Sequence, residues 1–156
     1  MAEVVLGDEL ARAGLAERVE VDSAGTGDWH VGGPMDAGAR AELARRGYDG
    51  SAHRARLFDP AWFARRDLVL VMDSRNLAQL RRMAPDAESA GPRLLLFRSF
   101  DPDLAATDPC DGEVPDPYGG IGEDYALAFD LVQAAARGLA TALAGRLEVP
   151  APGPGG

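Results

Sequence analysis

The chain predicts an α/β domain with a mainly parallel sheet. Helical and strand patterns alternate along it, the order expected of βαβ units. Residues 68–72 (Leu-Val-Leu-Val-Met) and 94–97 (Leu-Leu-Leu-Phe) are unbroken apolar runs. Such runs are typical of parallel strands buried on both faces. A third observation modifies the class. The sequence opens in a helical pattern with no strand before it, and only three short strands are legible in 156 residues. Sheets usually have about four to six, so the pattern is that of an α/β domain whose first strand is missing.

Taken in order, residues 2–13 place Val5, Leu6 and Leu10 at helical spacing, and Gly14 is a C-terminal stop. Residues 19–23 alternate like a strand and run into Ala24-Gly25-Thr26-Gly27. Residues 36–46 are helical, with Gly47 just past the end. Asp59-Pro60 reads as an N-cap followed by proline at the first helical position. Asp67 leads into the 68–72 strand, residues 75–83 form a short helix stopped before Pro85, and 94–97 are the next strand. A loop of about twenty residues then reaches Gly120, a length usually reserved for function. A final amphipathic helix covers 122–147. No repeat or second domain is visible, so one domain spans 1–149 and 150–156 form a disordered tail.

Composition narrows the chemistry. Sixteen basic residues against 25 acidic ones leave a net charge of -9. That argues against partners with anionic surfaces, nucleic acid and membrane alike. Every basic residue is Arg, which excludes a Walker A loop and a Schiff-base lysine. One Cys, Cys110, excludes disulfides and thiolate zinc clusters, and two His make a His-rich metal site a poor expectation. Neither a metal nor another cofactor is predicted. With no signal-peptide pattern and no apolar run near about 18 residues, the expectation is a soluble, cytoplasmic chain. Charge is also segregated: residues 40–98 hold twelve Arg, whereas 99–136 hold nine acids and no Arg. Solvated helix faces and an acidic loop account for such blocks. The sharper alternative is an Arg-rich middle that attracts an anion beside an acidic stretch that holds a proton donor.

Several pieces in register decide the matter. Val21-Asp22-Ser23-Ala24-Gly25-Thr26, Trp29-His30-Val31-Gly32, Arg46-Gly47-Tyr48, His53-Arg54-Ala55-Arg56, Met72-Asp73 and Asp116-Pro117-Tyr118-Gly119 occur in this order. Together they resemble the low-molecular-weight protein tyrosine phosphatases, over essentially everything up to about Leu147. The resemblance implies a flavodoxin-like, three-layer α/β/α sheet of order 2-1-3-4, with the first, central strand missing here. It also implies the chemistry. A thiolate in a Cys-(X)5-Arg loop attacks the phosphorus of a phosphotyrosine while the loop amides and Arg cradle the phosphate. An aspartic acid protonates the leaving phenolate, then helps water break the phosphocysteine.

The resemblance assigns roles to particular residues. Asp116 matches the general acid, and its neighbours Asp111 and Glu113 favour the protonated form that the first step needs. Tyr118 and Trp29 match aromatics on opposite walls of a slot that suits a phenyl phosphate. Gly119 stands where many relatives have a second aromatic. His30 lies at the pocket rim, as a substrate contact or a plain surface histidine. Ser23 and His53 match residues that hold the phosphate loop in shape, and Arg54 and Arg56 are left as solvated charges. The implied partners are phosphotyrosine proteins.

The nucleophile is the exception. Met1-Ala2-Glu3 corresponds to the residues just after the phosphate loop, so the Cys and Arg of that loop are not in this sequence. Cys110 is no substitute, because Asp108 and Asp111 flank it and raise its pKa. Without the central strand, the two flanking strands would face each other across about 9.6 Å. Their unpaired backbone groups would each cost about 1–3 kcal/mol, against a total stability of about 5–15 kcal/mol. The expectation is a chain that is unstable, oligomeric or repacked when alone. Two functional readings stand: a phosphatase read from an internal Met, or a non-catalytic interaction or regulatory module on the same fold.

Overall fold

The computed structural model describes residues 1–86, 90–104 and 112–147. Cys110, Asp111 and the expected tail over 150–156 lie outside them. Four α-helices, α1 (Ala2–Arg12), α2 (Ala37–Arg45), α3 (Ser74–Met83) and α4 (Gly122–Arg146), surround two short strands, β1 (Val69–Val71) and β2 (Leu94–Leu96). Single 3-10 turns occupy Pro60–Ala64 and Phe97–Phe100.

Helix ends follow from side-chain chemistry. Asp36 caps α2, accepting from the N–H groups of Gly38 and Ala39 at 3.0 and 3.1 Å. Asp73 caps α3, accepting from the Asn76 N–H at 2.6 Å. The Asp124 carboxylate, in the first turn of α4, accepts from the Ile121 N–H at 2.7 Å. Asp59 accepts from Ala61 at 2.9 Å, ahead of the proline that opens the first 3-10 turn. Gly14 and Gly47 take φ +73° and +85°, the left-handed conformation that ends a helix in a Schellman motif. The Leu15 N–H reaches back to the Leu10 carbonyl at 2.8 Å, and the Tyr48 N–H to the Leu43 carbonyl at 2.9 Å.

β1 and β2 pair in parallel, Val69 opposite Leu94 and Val71 opposite Leu96. Side chains from 68–72 alternate between two hydrophobic clusters. Leu68, Leu70 and Met72 pack into the larger one, built on α1, α2 and α4 around Val5, Leu10, Leu43 and Phe129. Val69 and Val71 pack into the smaller one, with Phe58, Phe63, Leu80 and Leu94. This alternation makes three layers, helices on both faces of a thin sheet. Phe129 is 1% exposed, and burying such a ring is worth about 1.5–3 kcal/mol. By length and composition α4 is apolar enough to cross a membrane. In this fold it is a core helix, with Ala128, Val132, Ala135, Ala136 and Leu139 buried against its neighbours.

One expected element did not form. Residues 19–23 are extended but make no ladder, and the described sheet has two strands rather than three. The reason is geometric. Val19–Ala24 and Leu68–Met72 are the two walls of one cavity of about 600 Å³, so neither reaches the other. A ladder needs strands about 4.7–4.9 Å apart. The strand order 2-1-3-4 is therefore not visible in this sheet. The chain has not repacked to close the gap, which is one of the outcomes the sequence predicted.

Candidate functional site

Four loops meet at one end of the sheet, and backbone hydrogen bonds fix three of them to one another. Gly25 donates to the Arg56 carbonyl at 2.8 Å and accepts from the Phe58 N–H at 2.9 Å. Gly32 donates to Ala55 at 2.8 Å, and Ala55 donates to Gly33 at 2.9 Å. Segments 23–27, 30–34 and 53–58 thus form one platform. The fourth loop, 116–120, joins it through a ring contact between His30 and Tyr118, with centroids 5.7 Å apart.

Asp116 and Tyr118 are locked together by an Asx turn. The Tyr118 N–H donates to Asp116 Oδ1 at 3.0 Å, as short acidic side chains favour in turns. Gly119 at φ +77° and a Gly120 N–H bond to Pro117 at 2.9 Å complete the bend. Behind it, Tyr125 of α4 packs flat on Gly38, where a β-carbon would stand 2.3 Å from the ring. A hydrogen bond with Asp36 raises the Tyr125 phenol above its ordinary pKa. Trp29 is 79% exposed and Tyr118 63% exposed, so both rings are open to a ligand. The Trp29 indole lies over Gly27, where a β-carbon would stand 2.2 Å from the ring, so only glycine fits.

The two predicted loop supports converge on a residue that sequence reasoning gave no role, Glu3 in the first turn of α1. Ser23 Oγ donates to Glu3 Oε2 at 2.5 Å. His53 Nδ1 lies 3.4 Å from the same oxygen, and an Arg56 guanidinium nitrogen 3.6 Å from it. The His53 contact is an ion-pair approach without hydrogen-bond geometry, and Nδ1 is buried without a donor or acceptor partner among the described residues. Burial lowers the His53 pKa, and the Met1 α-amino group and Arg56 push the same way, against the opposing pull of Glu3. The imidazole is therefore held toward its neutral form. Arg56 is thus part of this cluster rather than a solvated charge. Arg54 does stay at the surface, donating to the carbonyls of Ser51 and His53 at 2.9 and 2.7 Å. The signal for Glu3 was its place: a carboxylate in a helix's first turn sits at the positive end of the dipole.

Glu3 and Ser23 are also wall residues of the cavity between 19–24 and 68–72. The cavity's rim is braced by a two-point pair between Arg66 and Asp22, whose Nε–Oδ1 distance is 3.1 Å. This pairing holds the Asp22 carboxyl below its ordinary pKa. Glu113, read as a neighbour that favours protonated Asp116, instead accepts from the Ser74 N–H at 3.0 Å and helps to cap α3. Among the described residues, no group of three or more His, Cys, Asp or Glu is placed to hold a metal ion.

Comparison with known proteins fits this geometry. The family model of the low molecular weight phosphotyrosine protein phosphatases matches residues 1–148. A low molecular weight protein-tyrosine-phosphatase of Streptomyces coelicolor is 43% identical over 148 residues, 95% of this chain and 87% of that protein. Among solved structures, a protein tyrosine phosphatase of Entamoeba histolytica with Hepes in its active site superposes with a TM-score of 0.81. It is 26% identical and covers 94% of this chain and 89% of its own. YfkJ of Bacillus subtilis gives the same TM-score and identity, over 94% of this chain and 87% of its own.

Proposed function

The chain belongs to the low molecular weight phosphotyrosine protein phosphatase family, and on that basis we propose that its loops are the substrate-binding and acid-catalytic part of a cytoplasmic protein tyrosine phosphatase. Its substrates are phosphotyrosine proteins, and its one domain spans 1–149. Trp29, His30 and Tyr118 receive the phenyl ring. Asp116, fixed two residues before Tyr118, gives its proton to the phenolate oxygen as the P–O bond breaks and the S–P bond forms. The resulting carboxylate then takes a proton from the water that cleaves the phosphocysteine. A deep aromatic slot favours phosphotyrosine over the shorter phosphoserine.

The nucleophile must come from a Cys-(X)5-Arg loop, and this sequence contains none: six residues after Cys110 stands Asp116, not Arg. We place that loop, and a strand leading into it, in a longer form of the chain, with the strand central in the order 2-1-3-4. The chain as it stands is then inactive. One observation carries the reading. Ser23 and His53 turn toward Glu3 on the wall of the strand-wide cavity, where a phosphate loop entering α1 would need its supports.

The test is the intact mass of the protein isolated from its own cells, paired with an aryl-phosphate hydrolysis assay. A mass above 16.4 kDa by roughly fifteen to twenty residues, one strand plus one loop, together with activity is the expected result. A mass of 16.4 kDa and no hydrolysis would overturn it in favour of a non-catalytic interaction module.

A further inference from the structure

We propose that the cavity between residues 19–24 and 68–72 is a strand-acceptor site that binds an extended apolar peptide in trans, as a separate molecule. The inference concerns the cavity alone and does not need the phosphatase chemistry.

Main-chain groups define the occupant. In a parallel ladder, alternate residues address alternate neighbours. Val69 donates to the Arg93 carbonyl at 2.8 Å, so Val69 and Val71 serve β2 while the N–H and C=O of Leu70 face the cavity. On the opposite wall, Glu20 to Ala24 make no backbone–backbone hydrogen bond among the described residues. Two unpaired edges therefore look at each other across one gap. Side chains define its composition. Leu6, Leu10 and Leu139 line one face, and Phe58, Trp62 and Leu80 the other. An occupant must be apolar on both faces, which is the pattern of a buried parallel strand and not of an amphipathic one. Walls of five or six residues at about 3.3 Å each give a run of roughly 16–20 Å. An α-helix, about 10–12 Å across, is too wide for a gap left by a single strand. A small apolar molecule could fill the space but would leave both edges unpaired, at about 1–3 kcal/mol per buried group.

The test uses the full chain and a synthetic peptide of about five Val and Leu residues flanked by Arg. A control peptide of the same composition carries Pro at two central positions, which removes the N–H groups a ladder needs. Amide hydrogen exchange is read residue by residue. At peptide about ten times its dissociation constant, the amides of Val21, Asp22, Ser23 and Leu70 should exchange about tenfold more slowly. Binding should be one to one, and the Pro peptide should have no effect. The proposal is overturned by absence of binding, by equal protection from the Pro peptide, or by protection confined to the outer edge of β2. It is also overturned if these amides are already protected in a concentration-dependent dimer, since the occupant is then a second copy. None of these readouts depends on phosphate hydrolysis, so the acceptor site and the phosphatase reading stand or fall separately.

Discussion

At the scale of single residues, Asp116 and His53 carry the sharpest expectations. In a form of the protein that holds the Cys-(X)5-Arg loop, Asp116→Asn should lower kcat for an aryl phosphate by roughly 10²–10⁴-fold, with KM little changed. Steady-state kinetics on para-nitrophenyl phosphate would read this. His53 is held below its ordinary pKa, so between that lowered value and about 6.5 the unfolded chain binds more protons than the folded one. Stability is then complete above pH 6.5 or so and falls as the pH drops toward the folded-state pKa. Urea unfolding from pH 8 to pH 5 should show that loss, and His53→Gln should flatten it. Much of this was legible: Asp116, Tyr118, Trp29, His30, Ser23 and His53 were all named from their motifs. Their convergence was not, because Ser23, His53 and Glu3 are far apart in sequence and meet only when helix α1 is packed against the loops. Arg56 was misread for the same reason, since a lone Arg gives no sign of its partner.

At the scale of elements, apolar period and end chemistry were informative, and ladder pairing was not. Asp36, Gly14, Gly47, Asp59 and the 68–72 run stand where their chemistry put them. Residues 19–23 have the strand alternation and the extended backbone, yet a strand exists only with a partner, and the sequence of one segment says nothing of what lies beside it. Close packing gives two tests. A β-carbon on Gly138 of α4 would stand 1.7 Å from the Phe100 carbonyl oxygen. Gly138→Ala should therefore cost about 1–3 kcal/mol or more, despite alanine's better helix propensity. Asp36→Ala removes the cap of α2 and the Tyr125 partner, and should lower stability by about 1–2 kcal/mol. Chemical denaturation with unchanged m-values would confirm that both act on the native state.

At the scale of the molecule, two hydrophobic clusters share a two-stranded sheet and are separated for part of their length by an apolar cavity. With so few strands between them, the clusters should not melt as one. Calorimetry of the isolated chain should give a broad transition, with a van't Hoff enthalpy below the calorimetric one. A sharp two-state transition of a monomer would contradict this. Filling the cavity with a strand should merge the two units and sharpen the transition. The cavity also makes the protein its own optical reporter. Of its two tryptophans, Trp29 stands in solvent among the catalytic loops, whereas Trp62 forms part of the cavity wall beside Phe58 and Arg66. A soluble quencher should dim Trp29 first, leaving the emission of Trp62 to follow occupation of the cavity. Ligands arriving at the phenyl site and peptides entering the sheet would thus be seen as separate signals in one unlabelled chain.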